Sequence, residues 1–214
     1  SIKIEQNIIN ETVGSQDQIG VTYGGLNHIK FQKVGNFLVK PLNISNNRIK
    51  SLEKKLMLFH TGIFRNAEFV TKSYVKNFKN KVSYLQNINS LTNEAINILK
   101  TGQLDDFGKL LNETWLMKKG ISNNISNNVI NEIYDKALSN GAIGGKLLGA
   151  GGGGFMIFYV PENKQAKLKK AISNLLYIPI QFENNGSKII YAKSQKQYKK
   201  EENNRLQNKI KSFK

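Results

Sequence analysis

The sequence predicts an α+β fold in which an antiparallel sheet is backed by helices. Three observations carry that expectation. Two compact apolar runs, LMLFH at residues 56–60 and FMIFYV at residues 155–160, have the length of buried strands. Between them, from residue 67 to residue 138, apolar residues recur at spacings of three and four, the mark of amphipathic helices. Beyond residue 160 a polar helical stretch gives way to two short strand-like runs around the turn Asn184-Asn185-Gly186.

Taken in chain order, residues 2–12 read as helical, with Gly14 as the break. The segment SQDQIGVTYGG then leads into strand candidates at Asn27–Phe31 and Phe37–Leu42, with Gly35 and Asn36 as the turn. Pro41 and Asn43 mark a boundary, and Ser45 is placed to cap a short helix before the strand Leu56–His60. Helices are expected over Ala67–Phe78, Val82–Leu99 and Leu104–Met117. In the last of these Leu104, Phe107, Leu110, Leu111 and Trp115 share a face. Gly102 and Gly120 stand where C-terminal glycines do. Val129–Leu138 forms a further helix ended by Asn140-Gly141. Pro161 opens a helix to about Leu175, and strands are expected at Ile178–Phe182 and Lys188–Tyr191.

Composition narrows the function classes. With 214 residues, 39% hydrophobic and 22% charged, the chain can bury a real core as one large domain or two small ones. No apolar run approaches the roughly 20 residues that span a bilayer. The absence of cysteine excludes disulfides and thiolate metal sites, and a cytoplasmic location is the simplest expectation. The net charge of +17 raises nucleic acid as a partner. Its lysines are spread among Asn and Ile rather than gathered, and the aromatics Phe155, Phe158 and Tyr159 lie in an apolar run, so neither nucleic acid nor membrane is expected. A basic surface would still attract anionic small molecules. His28 and His60, far apart and without cysteine partners, are assigned to packing rather than to zinc. The opening SIKIEQNII, starting at Ser1, reads as the middle of a longer protein.

The run Gly149-Ala150-Gly151-Gly152-Gly153-Gly154 formally contains G-x-G-x-x-G, but it precedes a strand instead of following one. That order rejects the dinucleotide fingerprint, and no Gly-Lys-Ser/Thr is present for a Walker loop. Five glycines in six residues cost much backbone entropy to order. Close approach of a ligand, or of another loop, accounts for them better than a simple tight turn does. A second constellation, Gly14-x-x-Asp17-Gln18 followed by Gly24-Gly25, has a plain alternative: Asp17 could merely favour a helix N-terminus.

Read together, Glu5, Gly14-x-x-Asp17-Gln18, Gly24-Gly25, Thr61-Gly62-x-x-Arg65 and Gly145-Lys146-Leu147-Leu148-Gly149-Ala150-Gly151-Gly152-Gly153-Gly154 resemble the GHMP kinases, a family that includes galactokinase and mevalonate kinase. The resemblance runs to about Tyr191. Within the family it is strongest to the D-glycero-D-manno-heptose 7-phosphate kinases, on LLNETWLMKKGISNNISN, IYDKALSNGAIGGKLLGAGGGGFMIFY and FENNGSKIIY. It implies residues 1–50 as the end of the family's N-terminal domain, residues 51–193 as a C-terminal domain with a ferredoxin-like antiparallel sheet, and residues 194–214 as a basic tail.

The resemblance also implies a reaction: transfer of the ATP γ-phosphoryl group to a sugar, at the anomeric hydroxyl of the heptose 7-phosphate, for nucleotide-heptose synthesis. A fucose- or galactose-type kinase, or an inactive remnant acting as a binding module, are the alternatives. Asp17 matches the catalytic aspartate and Glu5 the Mg²⁺-binding glutamate, although an exposed helix residue is the plain reading of Glu5. Gly149, Gly151, Gly152 and Gly153 would shape the ATP side. Thr61, Gly62, Arg65, Gly24 and Gly25 would line the substrate side, with a surface ion pair as the alternative for Arg65. Lys146 faces either phosphate or solvent. The family's Pro-x-x-x-Gly-Leu-Gly-Ser-Ser-type ATP loop does not occur in these 214 residues. The expected partners are therefore ATP, a sugar or sugar phosphate, and the missing N-terminal half. A homodimer is left open, and the chain alone is expected to be inactive.

Overall fold

The computed structural model describes residues 2–32, 35–64, 70–73, 82–192 and 195–207. A single π-helical turn, Ile4–Ile8, ends short of the expected residue 12 and is followed by extended chain. Then come α1 (Gln16–Tyr23), β1 (Asn27–Phe31) and β2 (Phe37–Pro41). The two strands pair antiparallel in a sheet of their own, Asn27 opposite Pro41 and Phe31 opposite Phe37.

The main body starts at α2 (Asn46–Lys55), where Ser45 Oγ accepts from the Arg48 amide at 3.4 Å, as a cap should. It continues through β3 (Leu56–His60), α3 (Val82–Lys100), α4 (Leu104–Lys119), α5 (Asn128–Ser139), β4 (Gly144–Leu147), β5 (Phe155–Tyr159), α6 (Glu162–Ala171) and β6 (Leu176–Ile178). A last helix, α7, covers Gln195–Gln207. Of the helix expected over Ala67–Phe78, residues 70–73 are helical and the rest lies outside the described residues. No described helix is long and apolar enough to cross a membrane.

The four-stranded sheet has the order β4-β5-β3-β6 with every neighbouring pair antiparallel. Strand–helix–strand–strand–helix–strand in that spatial order is the ferredoxin-like arrangement, here with extra helices in the first crossover. The register explains why LMLFH and FMIFYV read as continuous apolar runs rather than alternating ones. Met57 lies opposite Phe158 and Phe59 opposite Met156. Their face packs with Leu147, with Ile130 and Tyr134 of α5, and with Leu168 of α6. The other face, with Leu56 opposite Tyr159, packs against Leu99, Leu104 and Phe107 from α3 and α4. A sheet covered on both sides has no polar face to write into its sequence.

Three expectations need correcting. Strand β4 was not foreseen, because Gly144-Gly145 looks like loop. The side-chain space at Gly144 is taken by α4: a Cβ there would sit 2.0 Å from the Gly108 carbonyl oxygen. The strand expected at Ile178–Phe182 is displaced to Leu176–Ile178, and Phe182 gives its amide to Glu53 Oε1 (2.7 Å) instead of to a strand. The strand expected at Lys188–Tyr191 does not form. Residues 183–187 dock on the end of α1, through Gly25 N to Glu183 O (2.7 Å) and Ser187 N to Val21 O (3.1 Å), and leave Ile189 and Ile190 exposed. Gly120 also departs from expectation, closing α4 with right-handed helical backbone rather than a left-handed cap.

Candidate active site

The glycine run is the hairpin loop joining β4 to β5, closed by the Leu148 amide on the Phe155 carbonyl (2.8 Å). Gly149, Gly151, Gly152 and Gly154 have positive φ, which an L side chain resists. The loop is tied down on several sides. Thr61 donates both its amide and its hydroxyl to the Gly154 carbonyl, each at 2.8 Å. The Gly154 amide reaches Ile63 O at 3.1 Å, and the Gly152 amide reaches Ile125 O at 2.8 Å. Lys118 Nζ holds the Gly149 carbonyl at 2.6 Å. A Cβ on Gly151 would lie 2.8 Å from Ile125 Cα, and one on Gly153 would lie 2.6 Å from Ile63 O. Close approach of neighbouring loops therefore accounts for these two glycines.

Residues Glu5 and Asp17 are brought near this loop by the first elements of the chain. The Gln6 side chain ties the segment together, donating to Val13 O (2.9 Å) and Ser15 Oγ (3.2 Å). Gln18 Nε2 donates to Glu5 Oε2, so the Gly-x-x-Asp-Gln motif and Glu5 are physically joined. The Gln18 Oε1 atom is buried with no hydrogen-bond partner among the described residues. Asp17 stands in the first turn of α1, where a carboxylate is favoured by the helix dipole, and is exposed.

A cavity of about 730 Å³ collects these groups. Its lining includes Glu5, Asp17 and Gln18 from the N-terminal segment, Lys118 from the end of α4, Lys146 from β4, and Gly149 from the hairpin loop. Lys146 is flanked on its strand by the buried Gly145 and Leu147, and burial pushes its ammonium below the ordinary lysine value. Its ammonium makes no hydrogen bond or ion pair with any described residue.

The other candidates fall elsewhere. Thr61 braces the glycine hairpin, Gly62 follows it with φ +73°, and neither is among the residues lining the cavity. Gly24 and Gly25 line a separate cavity of about 290 Å³ with Val21, Glu183 and Asn185. The positive φ of Gly24 and its tight packing on Asn185, 2.5 Å from a would-be Cβ, make glycine structurally required there. Arg65 lies outside the described residues. His60 stacks near Phe155 and Phe64, at 4.9 and 5.8 Å between ring centroids, a packing role as expected. Sequence reasoning missed Lys118. In LMKKG it looks like an ordinary cation at a helix C-terminus, and only the fold shows it turned onto the Gly149 carbonyl.

Residues 94–178 match the family model for the GHMP kinases C-terminal region. This part of the chain is a GHMP kinase C-terminal domain. The D-glycero-alpha-D-manno-heptose 7-phosphate kinase of Campylobacter jejuni is 35% identical to the chain over 173 residues, which is 79% of this chain and 51% of that relative. The chain thus spans about half the length of this relative. A bifunctional fucokinase/GDP-fucose pyrophosphorylase of Arabidopsis thaliana is 28% identical over 160 residues, covering 72% of this chain and 15% of that one. Among solved structures, a D-glycero-D-manno-heptose 1-phosphate kinase from Bacteroides thetaiotaomicron aligns with a TM-score of 0.65 at 23% identity, over 89% of this chain and 54% of the other. At that identity the likeness speaks for the fold, which is GHMP-kinase-like. The GHMP kinase C-terminal domain here contributes Lys118, Lys146 and the glycine hairpin, while both carboxylates come from the residues that precede it.

Proposed function

We propose that this chain is the C-terminal part of an ATP-dependent sugar kinase that phosphorylates the anomeric hydroxyl of D-glycero-D-manno-heptose 7-phosphate. The observation that carries the reading is the 730 Å³ cavity, where Glu5 and Asp17 meet Lys118, Lys146 and the glycine hairpin. Phosphoryl transfer asks mainly for positioning and charge stabilisation, and this cavity supplies both signs of charge. The 35% identity to the Campylobacter heptose kinase supports the sugar.

In this reading Asp17, exposed to the cavity, accepts the proton of the attacking hydroxyl. Glu5 is a Mg²⁺ ligand, its carboxylate oriented by Gln18. Among the described residues no group of three or more His, Asp or Glu gathers as a complete metal cage. A magnesium ion is commonly held by one or two carboxylates and completed by phosphate oxygens and water. The bound ion supplies charge neutralisation at the phosphates. Gly149, Gly151, Gly152 and Gly153 keep the hairpin backbone close to the nucleotide side. Thr61 acts by fixing the hairpin, and Gly62, Arg65, Gly24 and Gly25 are substrate contacts. The partner is polypeptide equivalent to the other half of the Campylobacter relative, which would complete the phosphate cradle. Exposed Ile4, Ile8, Phe31 and Leu38 support such a covering. In domain terms, residues 1–50 belong with that half, residues 51–193 form the C-terminal domain, and residues 194–214 are a basic tail.

The fucokinase relative favours a second reading in which the acceptor is a plain sugar. The test is ADP release from Mg-ATP by the chain completed with an N-terminal half, with the heptose 7-phosphate, fucose and galactose as acceptors. Turnover on the heptose phosphate alone is expected. Turnover on fucose alone selects the second reading, and a folded, complete protein that turns over no sugar sinks both.

A further inference from the structure

We propose that Lys118 and Lys146 form an anion subsite of the large cavity and hold the acceptor's own phosphate monoester. The inference rests on the sugar-phosphate reading above and adds the residues that would give it selectivity. Both lysines line the cavity, on the wall made by α4, β4 and the glycine hairpin. Glu5, Asp17 and Gln18 line it from the N-terminal segment. The two groups of charges thus reach one cavity from different parts of the chain.

Lys146 is the more telling of the two. Its neighbours on β4, Gly145 and Leu147, are buried, and its ammonium has no partner among the described residues. Taking a cation partly out of water without a counter-charge is unfavourable, and burial lowers its proton affinity accordingly. A bound dianion reverses that penalty. Neither cavity carboxylate forms an ion pair with Lys146, and Glu5 is engaged by the Gln18 amide.

Lys118 has an ordinary explanation, since the last turn of a helix favours a cation. That explanation leaves out where its ammonium goes. It bonds the carbonyl of Gly149, at the start of the hairpin loop, at 2.6 Å. That bond places the ammonium on the loop that lines the cavity, where a phosphate oxygen can accept from it. Lysine is a compact point charge suited to phosphate, and two of them match the charge of a monoester dianion. A nucleotide phosphate shares this chemistry, so the test separates the two sources.

The test is calorimetric titration of the 214-residue chain with four ligands: D-glycero-D-manno-heptose 7-phosphate, the same heptose without its phosphate, inorganic phosphate, and Mg-ATP. The heptose phosphate is expected to bind about tenfold or more tightly than the unphosphorylated sugar, the size of a charge-assisted contact. Lys146→Met and Lys118→Met should each erase most of that difference, the second also releasing the Gly149 carbonyl. Lys146→Arg should retain part of it. Lys146→Met removes a desolvated charge while keeping the volume of the stem, so its thermal midpoint should not fall, which guards against a misfolded control.

Equal binding of the two heptoses by the wild-type chain overturns the proposal. So does a Lys146→Met variant that loses Mg-ATP but keeps the heptose phosphate, because the lysines would then belong to the nucleotide. Inorganic phosphate separates this inference from the choice of sugar. Phosphate binding lost in Lys146→Met supports the subsite even if the heptose phosphate binds no more tightly than phosphate itself, a result that counts against the heptose reading.

Discussion

Residues 2–41 and the sheet domain that follows them share one cavity, yet they are built on opposite terms. From α2 onward the chain buries Met57, Trp115, Leu147, Met156 and Phe158 completely, on a sheet flanked by helices on both faces. Among the described residues of 2–41 only Ile19 is a buried hydrophobic, at 2% exposure, while Ile4, Ile8, Val21, Tyr23 and Phe31 are more than half exposed. The proposed catalytic carboxylates sit on the part with almost no core, and the lysines and glycine hairpin sit on the part with a deep one. Stability and proton chemistry are therefore separable by mutation.

The sharpest way to break that comparison is to empty the core. Phe158→Ala should cost about 3–5 kcal/mol by denaturant unfolding, the loss of a large ring plus its cavity. Ile8→Ala, on an exposed face, should change stability by less than about 0.5 kcal/mol. If the two cost the same, residues 2–41 are not the loosely supported region described here. The next effect separates chemistry from folding. Asp17→Asn in a completed enzyme should lower kcat by about 10²–10⁴-fold while the melting temperature stays put, measured by ADP release and calorimetry.

Smaller effects sharpen the picture within the sheet domain. Gly151→Ala should cost about 1–3 kcal/mol, because its φ is +116° and its new Cβ meets the Ile125 backbone. The denaturant midpoint measures it, and an unchanged midpoint would mean the loop can give way. Ser45→Ala removes the cap of α2 and should cost about 0.5–1 kcal/mol in the same assay.

The smallest effect is pH dependence at Asp105. Hydrogen bonds from Lys55 (2.7 Å) and from the Tyr159 hydroxyl (2.8 Å) hold its carboxyl below the usual carboxylate range. A folded-state value that is depressed gives stability at pH above about 4 that is lost as pH falls through the folded value. The stability gap between wild type and Asp105→Asn should close in that window. With half of the side chain exposed the gap should be small. A gap that widens on acidification would reverse the sign.

Long helices and the two central strands were legible because their signal is periodicity and apolar content, and packing only reinforced it. β3 matches its expected bounds, and α3, α4 and α5 match theirs to within two residues. What escaped was set by neighbours distant in sequence. Gly144 looks like loop until the carbonyl of Gly108 is seen against it. Ile189 and Ile190 have the residue type of a strand, but the chain before them docks on α1 and gives them no edge to join. The site divides the same way. Glu5, Asp17 and Gly149 were named from the family resemblance and do share a cavity. Gly24 and Gly25, named alongside them, line a separate cavity, and Thr61 bonds the far end of the same hairpin. Lys118 carries no motif at all, and its place follows only from how α4 ends beside the hairpin.

The tethering of the glycine hairpin bears on how the cavity can open and shut. Its backbone is gripped by Thr61, Ile63, Lys118 and Ile125, which come from three separate stretches of chain. Moving it would mean releasing all of them together, so despite its composition it behaves as a fixed plate. The side-chain bonds of the N-terminal segment, Gln6 to Val13 and Gln18 to Glu5, lie within the segment itself, so it has far less to let go. Any clamping on a ligand is then one-sided: the N-terminal segment travels, and the hairpin wall waits for it.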